Sequence, residues 1–223
     1  MTRTCIKDRI LPSYTKGEEI FNMTTHIVGA GIGALALILC VLISCFKGSG
    51  IALGCSIVFG VSAISLYTVS SIYHGLRRGT AKKIFQVLDH CTIYFLISGT
   101  YTPMLLCGLV KTNRLAALLT FIAVWGLTAL AITLNAIDLK NYKTFSMVCY
   151  LGIGWAIIFS IFDIYTALGA VGFWLLLSGG IVYTVGAIFF KIGSTKKYFH
   201  SIFHIFTVIG TVLHALSVML YAI

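Results

Sequence analysis

The chain has 223 residues, of which 59% are hydrophobic and 10% are charged, and its mean hydropathy is +1.00. A soluble domain typically carries about 25% charged residues, so this composition excludes a soluble globular enzyme. The 16 Lys and Arg outnumber the 6 Asp and Glu, which gives a formal charge of +10. Because the basic residues lie between long apolar runs, their excess indicates membrane topology and not nucleic-acid binding. The composition therefore predicts an all-α polytopic membrane protein.

Seven apolar stretches are each long enough to cross a bilayer, which takes about 20 mostly apolar residues. They cover residues 19–45, 51–74, 84–110, 114–134, 144–162, 169–190 and 198–221. The connections are short, and none could separate a second domain. The sequence predicts a polar N-terminal tail over residues 1–18, with no cleaved signal peptide, and a seven-transmembrane helix bundle over residues 19–223.

The Lys and Arg residues are distributed unequally between alternate connections. Thirteen lie in the tail and in the second, fourth and sixth connections, and three lie on the opposite side. Since positive residues favour the cytoplasmic side, we expect a cytoplasmic N-terminus and a C-terminus outside the plasma or inner membrane. G-protein-coupled receptors have the reverse orientation, so the distribution disfavours that family.

Two local signals bear on how the helices pack. Gly29 and Gly33 form a GxxxG spacing, which permits close helix approach. Pro103 is expected to kink or end the third helix near its outer end, because proline lacks the backbone N–H that a helix interior needs.

Ionisable residues inside the apolar stretches are concentrated at one end of the helices. An Asp or Arg at the centre of a span costs about 2.5–3.5 kcal/mol on insertion scales, so each needs a reason. His74 closes the second span, Asp89 lies near the start of the third, and His200 and His204 open the seventh. Glu18, Glu19 and His26 open the first span at the same end, which the charge distribution makes cytoplasmic.

The spacing of these residues indicates a metal site. His200 and His204 are four residues apart on one helical face, where two imidazoles can bind one ion. A third imidazole from His74 leaves an open position, as in catalytic zinc sites with water as the fourth ligand. Asp89 is then an outer partner or a water-holding base, and Ser70 lies one turn deeper than His74. A histidine at a helix end is more often a cap, so the prediction rests on the combination.

Two further ionisable residues are predicted to lie outside this group. His214 is ten residues beyond His204, about 15 Å deeper along a straight helix, and is expected to form a hydrogen bond across the bundle. Asp163 ends the predicted fifth span and is expected to be a solvated loop residue.

Four short motifs in fixed order carry a family resemblance. They are EEIFNMTTHIVG (residues 18–29), SSIYHG (70–75), LDHCTIYFLISGTYTP (88–103) and HSIFHIFTVIGTVLH (200–214). In these motifs the chain resembles the haemolysin III (TrhA-like) branch of the progestin and adipoQ receptor (PAQR) family, within the CREST superfamily of membrane hydrolases. The resemblance implies seven helices with a cytoplasmic N-terminus and Zn²⁺ held by His74, His200 and His204. It also implies Asp89 at the zinc-bound water and Ser70 beside it, and it assigns no role to Glu19, Asn22 and His26.

The leading functional interpretation is a zinc-dependent hydrolase of lipid amide or ester bonds, ceramidase-like by resemblance and contributing to membrane lipid homeostasis. Its partner is then membrane lipid reaching the site sideways from the bilayer, with Asp89 and Ser70 as catalytic residues. The alternative is a non-enzymatic membrane protein with structural zinc, either a cytolysis- or pore-related protein or a regulator of membrane energetics. A zinc or lipid sensor is a third interpretation. Haemolysis rests on the family name, without a supporting residue pattern.

Overall fold

The computed structural model describes residues 4–139 and 141–223, and every regular element in these two ranges is helical. Arg3 and Lys140, which contribute to the charge count above, lie outside them. The seven α-helices are α1 (Lys16–Phe46), α2 (Gly50–Gly75), α3 (Thr80–Pro103), α4 (Arg114–Asp138), α5 (Lys143–Gly154), α6 (Ile161–Ile192) and α7 (Phe199–Ser217).

Side-chain caps fix where several of these helices begin. Thr15 and Glu18 form a capping box, in which the Glu18 N–H donates to Thr15 Oγ1 and the Thr15 N–H donates to Glu18 Oε2. This box starts α1 at Lys16, before the predicted apolar stretch, because the first-turn N–H groups are satisfied there. The side chains of Ser49 and Asn113 cap α2 and α4 by accepting a hydrogen bond from the N–H of Ala52 and of Ala116, respectively.

Glycine allows α1 and α2 to approach closely. A Cβ atom at Gly29 would lie 2.5 Å from the Tyr67 ring, and one at Gly33 would lie 3.3 Å from the Ala63 side chain. The GxxxG spacing therefore serves packing inside the chain, and the expectation of close helix approach is confirmed.

Pro103 ends α3 as the sequence predicts. A π-helical turn, Met104–Gly108, and a 3-10 turn, Leu109–Lys111, follow it. Such irregular turns accommodate the missing proline N–H. With these turns, α3 forms the most enclosed membrane-spanning segment of the described chain. Its Tyr94 and Leu96 side chains are almost completely buried.

Six helical segments of the described residues are long and apolar enough to cross a membrane, so the chain is a multi-pass membrane protein. One of them, Phe145–Ile192, has 48 residues, more than twice the length of about 20 residues that one crossing needs. It is divided at Gly169, whose φ of 67° lies in the left-handed region that glycine adopts readily. The seven-span count and the orientation of the termini stay predictions.

The sequence predicts a loop at residues 163–168, between the fifth and sixth apolar stretches, and this prediction is wrong. These residues are helical, because α6 begins at Ile161 and the backbone breaks only at Gly169. Asp163 therefore lies in the first turn of α6 and not in a loop, and it is partly exposed. Its carboxylate accepts a hydrogen bond of 2.9 Å from the Asn113 side chain.

The N-terminal tail packs against one end of the bundle. The Thr4 N–H donates to the Asp138 carboxylate at 2.7 Å. The guanidinium of Arg78, just beyond α2, donates to the carbonyls of Leu11 and Pro12 at 3.2 Å each. These contacts place the tail across the end where α2, α3 and α7 bring their histidines and acids together.

Candidate metal centre

Three imidazoles from two helices converge at the tail end of the bundle. His74 is in the last turn of α2, and His200 and His204 occupy successive turns at the start of α7. One potential ligand atom of each residue lies within 4.8 Å of the other two. The three residues are only 2%, 6% and 1% exposed, respectively. The structure thus brings together the three histidines that the sequence singled out.

The chemistry of these side chains fits a metal ion. Nε2 of His200 and Nε2 of His204 lie 3.1 Å apart, and Nε2 of His74 has no hydrogen-bond partner among the described residues. A buried nitrogen without a partner is rare in folded proteins. A divalent cation would satisfy all three ring nitrogens at once, and the set matches three-ligand sites with one open position. Imidazole also suits copper, iron and nickel, so the donor set alone names no metal.

An ion pair orients His74. Nδ1 of His74 lies 2.6 Å from Oε2 of Glu19, and Lys82 Nζ lies 2.8 Å from Oε1 of the same carboxylate. Lys82 also donates to the carbonyls of His74 and Leu76 at the end of α2. A carboxylate on one ring nitrogen fixes the tautomer and leaves the other nitrogen free for a metal.

Sequence reasoning missed this ion pair. The resemblance assigns no role to Glu19, and the charge distribution places Lys82 in the second connection. The structure starts α3 at Thr80 and buries Lys82 to 2% exposure in its first turn. A signal was present, since Glu19 is the first residue of a predicted membrane span, where an unpaired carboxylate is unfavourable.

Asp89 and Ser70 lie beside His74. The Ser70 hydroxyl faces the Asp89 carboxylate, and Asp89 lies close to His74. Ser70 is 1% exposed, whereas Asp89 is partly exposed. Asp89 is outside the group of converging ligand atoms. Its place next to that group, and not in it, suits a proton-transfer role, which stays a prediction.

Glu18 and a close backbone approach position the start of α7. Oε1 of Glu18 accepts a hydrogen bond of 2.7 Å from the Tyr198 N–H, two residues before His200. Tyr198 has a left-handed φ of 63°. A Cβ atom at Gly193 would lie 2.7 Å from the backbone nitrogen of His200, so only glycine fits there without a shift.

Tyr14 of the tail packs against two of the three histidines, His200 and His74. Its ring stacks on His200 with centroids 4.9 Å apart and planes 17° apart, and it lies 5.7 Å from the His74 ring. Burial, together with the nearby carboxylates of Asp89 and Glu19, raises the pKa of the Tyr14 phenol well above its usual value. The phenol is therefore a neutral hydrogen-bond donor at physiological pH.

The other three histidines, His26, His90 and His214, each have a different partner. His26 of α1 stacks on His204 with ring centroids 3.7 Å apart. His90 contacts Phe190. His214 forms a hydrogen bond of 3.0 Å with the Leu176 carbonyl on α6, which confirms the expected bond across the bundle.

Comparison with known proteins identifies the family. The family model described as "Haemolysin-III related" matches residues 14–215, which include the whole histidine group. The chain belongs to the haemolysin III family. It is 37% identical over 207 residues to Hemolysin-3 of Bacillus cereus, an alignment covering 92% of each chain. It is 34% identical over 210 residues to the Hemolysin-3 homolog of Bacillus subtilis (strain 168), covering 94% of this chain and 97% of the relative.

The chain is also similar to a human protein. The chain is 25% identical over 170 residues to the monocyte to macrophage differentiation factor of Homo sapiens, covering 74% of this chain and 68% of the relative. The resemblance inferred from the four sequence motifs is thereby confirmed.

Proposed function

We propose that this haemolysin III protein is a zinc-dependent hydrolase of amide or ester bonds in membrane lipids, with a role in membrane lipid homeostasis. One observation carries the proposal, namely three buried imidazoles converging within 4.8 Å beside a carboxylate and a hydroxyl at the end of a membrane bundle. A purely structural metal site has no need of the partly exposed acid next to it.

Each residue around the group has a separate task. His74, His200 and His204 would hold the ion, with Glu19 fixing the ring of His74. When bound, zinc would supply a Lewis acid for the substrate carbonyl and lower the pKa of water to about 7. Asp89 would accept the proton of the attacking water and pass it to the leaving nitrogen or oxygen as the bond to the carbonyl carbon breaks. Ser70 would hold the Asp89 carboxylate in place.

A groove on the lipid-facing side of the bundle offers a path for the substrate chain. It lies between α1 and α2 and has a volume of about 450 Å³. Its lining is mostly apolar (Met23, Ile27, Ala30, Ile72, Gly75 and Leu76) and also includes Thr68 and Ser71. Gly75 directly follows His74, so the groove reaches the end of α2 that carries this histidine. The apolar lining matches the chemistry of such a chain.

The pore alternative receives less support from the same helices. Thr211 bonds to the hydroxyls of Tyr67 and Tyr183, and His214 bonds to the Leu176 carbonyl. Thr207 bonds back to the Phe203 carbonyl. These polar groups of α7 are satisfied inside the protein, whereas a channel would direct them into water.

The test is turnover of lipid amides and esters by the purified protein. We expect wild type to release fatty acid, His200→Ala to lose both the metal and the activity, and Asp89→Asn to keep the metal but lose the activity. His214→Ala removes an imidazole outside the group and should retain activity. Zinc in the wild type without any turnover would favour structural zinc, and dye flux through liposomes would favour a pore.

A further inference from the structure

Two buried cysteines face each other at the end of the bundle opposite the histidine group. Cys55 lies in the second turn of α2, and Cys107 lies in the π-helical turn that follows Pro103. They are 3% and 7% exposed, and their thiols are within hydrogen-bonding reach of each other. His74 is 19 residues further along α2 than Cys55, which is about 28 Å at 1.5 Å per residue. The thiol pair is therefore separate from the candidate metal centre.

The contact between the two thiols is a property of the tertiary fold. Packing alone explains a single buried cysteine, because a thiol in an apolar core behaves as a small hydrophobic group. Cys55 and Cys107 are 52 residues apart in the sequence, so only the packing of α2 against the turn after α3 brings them together. Other cysteines lie in different settings, since Cys91 donates to the Ile132 carbonyl and Cys45 is exposed.

Cys107 belongs to a segment without regular α-helical structure. After Pro103 the chain forms the π-helical turn Met104–Gly108 and the 3-10 turn Leu109–Lys111. Hydrogen bonds of a 3-10 turn have poorer geometry than those of an α-helix. A covalent bond from Cys107 to α2 would hold this segment at the point where its own backbone bonds hold it weakly.

The thiol pair lies near the end of the bundle that the charge distribution predicts to be outside. Lys111, four residues after Cys107, is exposed and lies close to the Cys107 thiol. Disulfides form and persist in extracellular compartments, whereas cytosolic thiols are kept reduced. The predicted orientation therefore places both thiols at the membrane side on which their oxidation is favoured.

We propose that Cys55 and Cys107 are a modification site, at which a disulfide-bearing oxidant outside the membrane links α2 to the turn after α3. Both thiols are buried once this turn has packed, so the reaction takes place while the segment is still open. The bond would then close a loop of the chain that contains most of α2 and all of α3. This inference is independent of the proposed hydrolase function.

The reaction is a thiol–disulfide exchange in two steps. The Cys107 thiolate attacks one sulfur of the oxidant's disulfide and displaces the other sulfur, which gives a mixed disulfide. The Cys55 thiolate then attacks Sγ of Cys107 and displaces the sulfur of the oxidant. One Sγ–Sγ bond replaces two S–H bonds, and the two protons pass to the displaced sulfurs. The two electrons reduce the oxidant from a disulfide to two thiols.

Differential alkylation of the full-length protein tests the site. Membranes are dissolved in denaturant with light iodoacetamide, which blocks every free thiol, and the remaining cysteines are then reduced and labelled with heavy iodoacetamide. We expect heavy label on Cys55 and Cys107, and a linked pair of their peptides before reduction. Cys91 should carry light label. In Cys107→Ala, Cys55 loses its partner and should also carry light label.

Thermal unfolding in detergent tests whether the bond holds the turn. Reduction of the wild type should lower its melting temperature by about 4–16 °C, the usual effect of losing one disulfide in a chain of this size. The double variant Cys55→Ala/Cys107→Ala should not respond to the reductant. Cys91→Ala removes a buried cysteine of another cluster and should respond as the wild type does.

Both measurements can contradict the proposal without any assay of metal or lipid. Light label on Cys55 and Cys107 in the wild type, or a link from either one to a different cysteine, would overturn the modification site. A melting temperature that stays the same when the linked wild type is reduced would overturn the role of the bond in holding the turn.

Discussion

Oε2 of Glu19 lies 2.6 Å from Nδ1 of His74, and the other oxygen of that carboxylate lies 2.8 Å from the Lys82 ammonium. Glu19 on the first helix thereby orients the imidazole of His74 on the second helix. The ammonium of Lys82 on the third helix pairs with the same carboxylate. His74 is the one member of the converging group on α2. Its ring orientation depends on the contact with Glu19.

Glu19→Gln tests directly whether this carboxylate orients His74. We expect metal affinity to fall by about 10- to 100-fold, the usual effect of removing the outer partner of a ligating histidine. Competition with a chelator of known affinity measures this. Asp163→Asn, which removes a carboxylate outside the group, should leave affinity unchanged. Equal affinities in Glu19→Gln and wild type would mean that the carboxylate does not orient His74.

Lys82→Met tests whether the ion pair also stabilises the fold. The Lys82 side chain is 3% exposed and that of Glu19 is 20% exposed. Breaking a fully buried pair costs about 3–5 kcal/mol, so for this partly exposed pair we expect a loss of about 2 kcal/mol in unfolding free energy. Thermal unfolding in detergent measures it. The matched control is Lys83→Met, which alters the neighbouring, partly exposed lysine. Similar melting temperatures for both variants would contradict the assignment.

Tyr14 should contribute to metal retention through its ring. Stacked aromatic pairs are worth about 0.5–1.5 kcal/mol, so Tyr14→Ala should weaken metal binding by roughly 2- to 12-fold. Tyr14→Phe keeps the stacking on His200 and should bind metal as the wild type does. If Tyr14→Phe proves as weak as Tyr14→Ala, the hydroxyl and not the ring is responsible.

The groove between α1 and α2 can be blocked without touching the histidines. Ala30→Phe should fill it and lower turnover of long-chain lipid by about tenfold, with unchanged metal content. Val28→Phe adds the same bulk on the other side of α1, in a second groove that α1 forms with α7. Turnover should survive that change. Equal activity of the two variants would exclude the groove as the chain path.

Much of the site could be predicted from the sequence, because helical periodicity alone places His200 and His204 on one face. His74 and Asp89 could also be predicted, because an ionisable group in a membrane span has a free-energy cost and therefore indicates a function. The pairing of Glu19 with Lys82 could not be predicted in the same way, since it depends on how three helices pack. Lys82 is predicted to lie in a connection because the third apolar stretch begins at residue 84. The helix itself begins at Thr80 and includes Lys82.

The fold too was predictable in part. Apolar length predicted the membrane helices, and Pro103 predicted the end of α3. The sixth apolar stretch begins at residue 169, where the backbone breaks, but the helical conformation of residues 163–168 escaped prediction, because the polar residues there resemble a loop. A positive φ at one glycine is not visible in composition or hydropathy.

Metal analysis of the purified protein tests the central claim most directly. The account predicts one tightly bound zinc ion per chain in the wild type and its loss in His74→Ala, His200→Ala and His204→Ala, with retention in His214→Ala. A wild-type protein without tightly bound divalent metal, or the same metal content in all four variants, would contradict it.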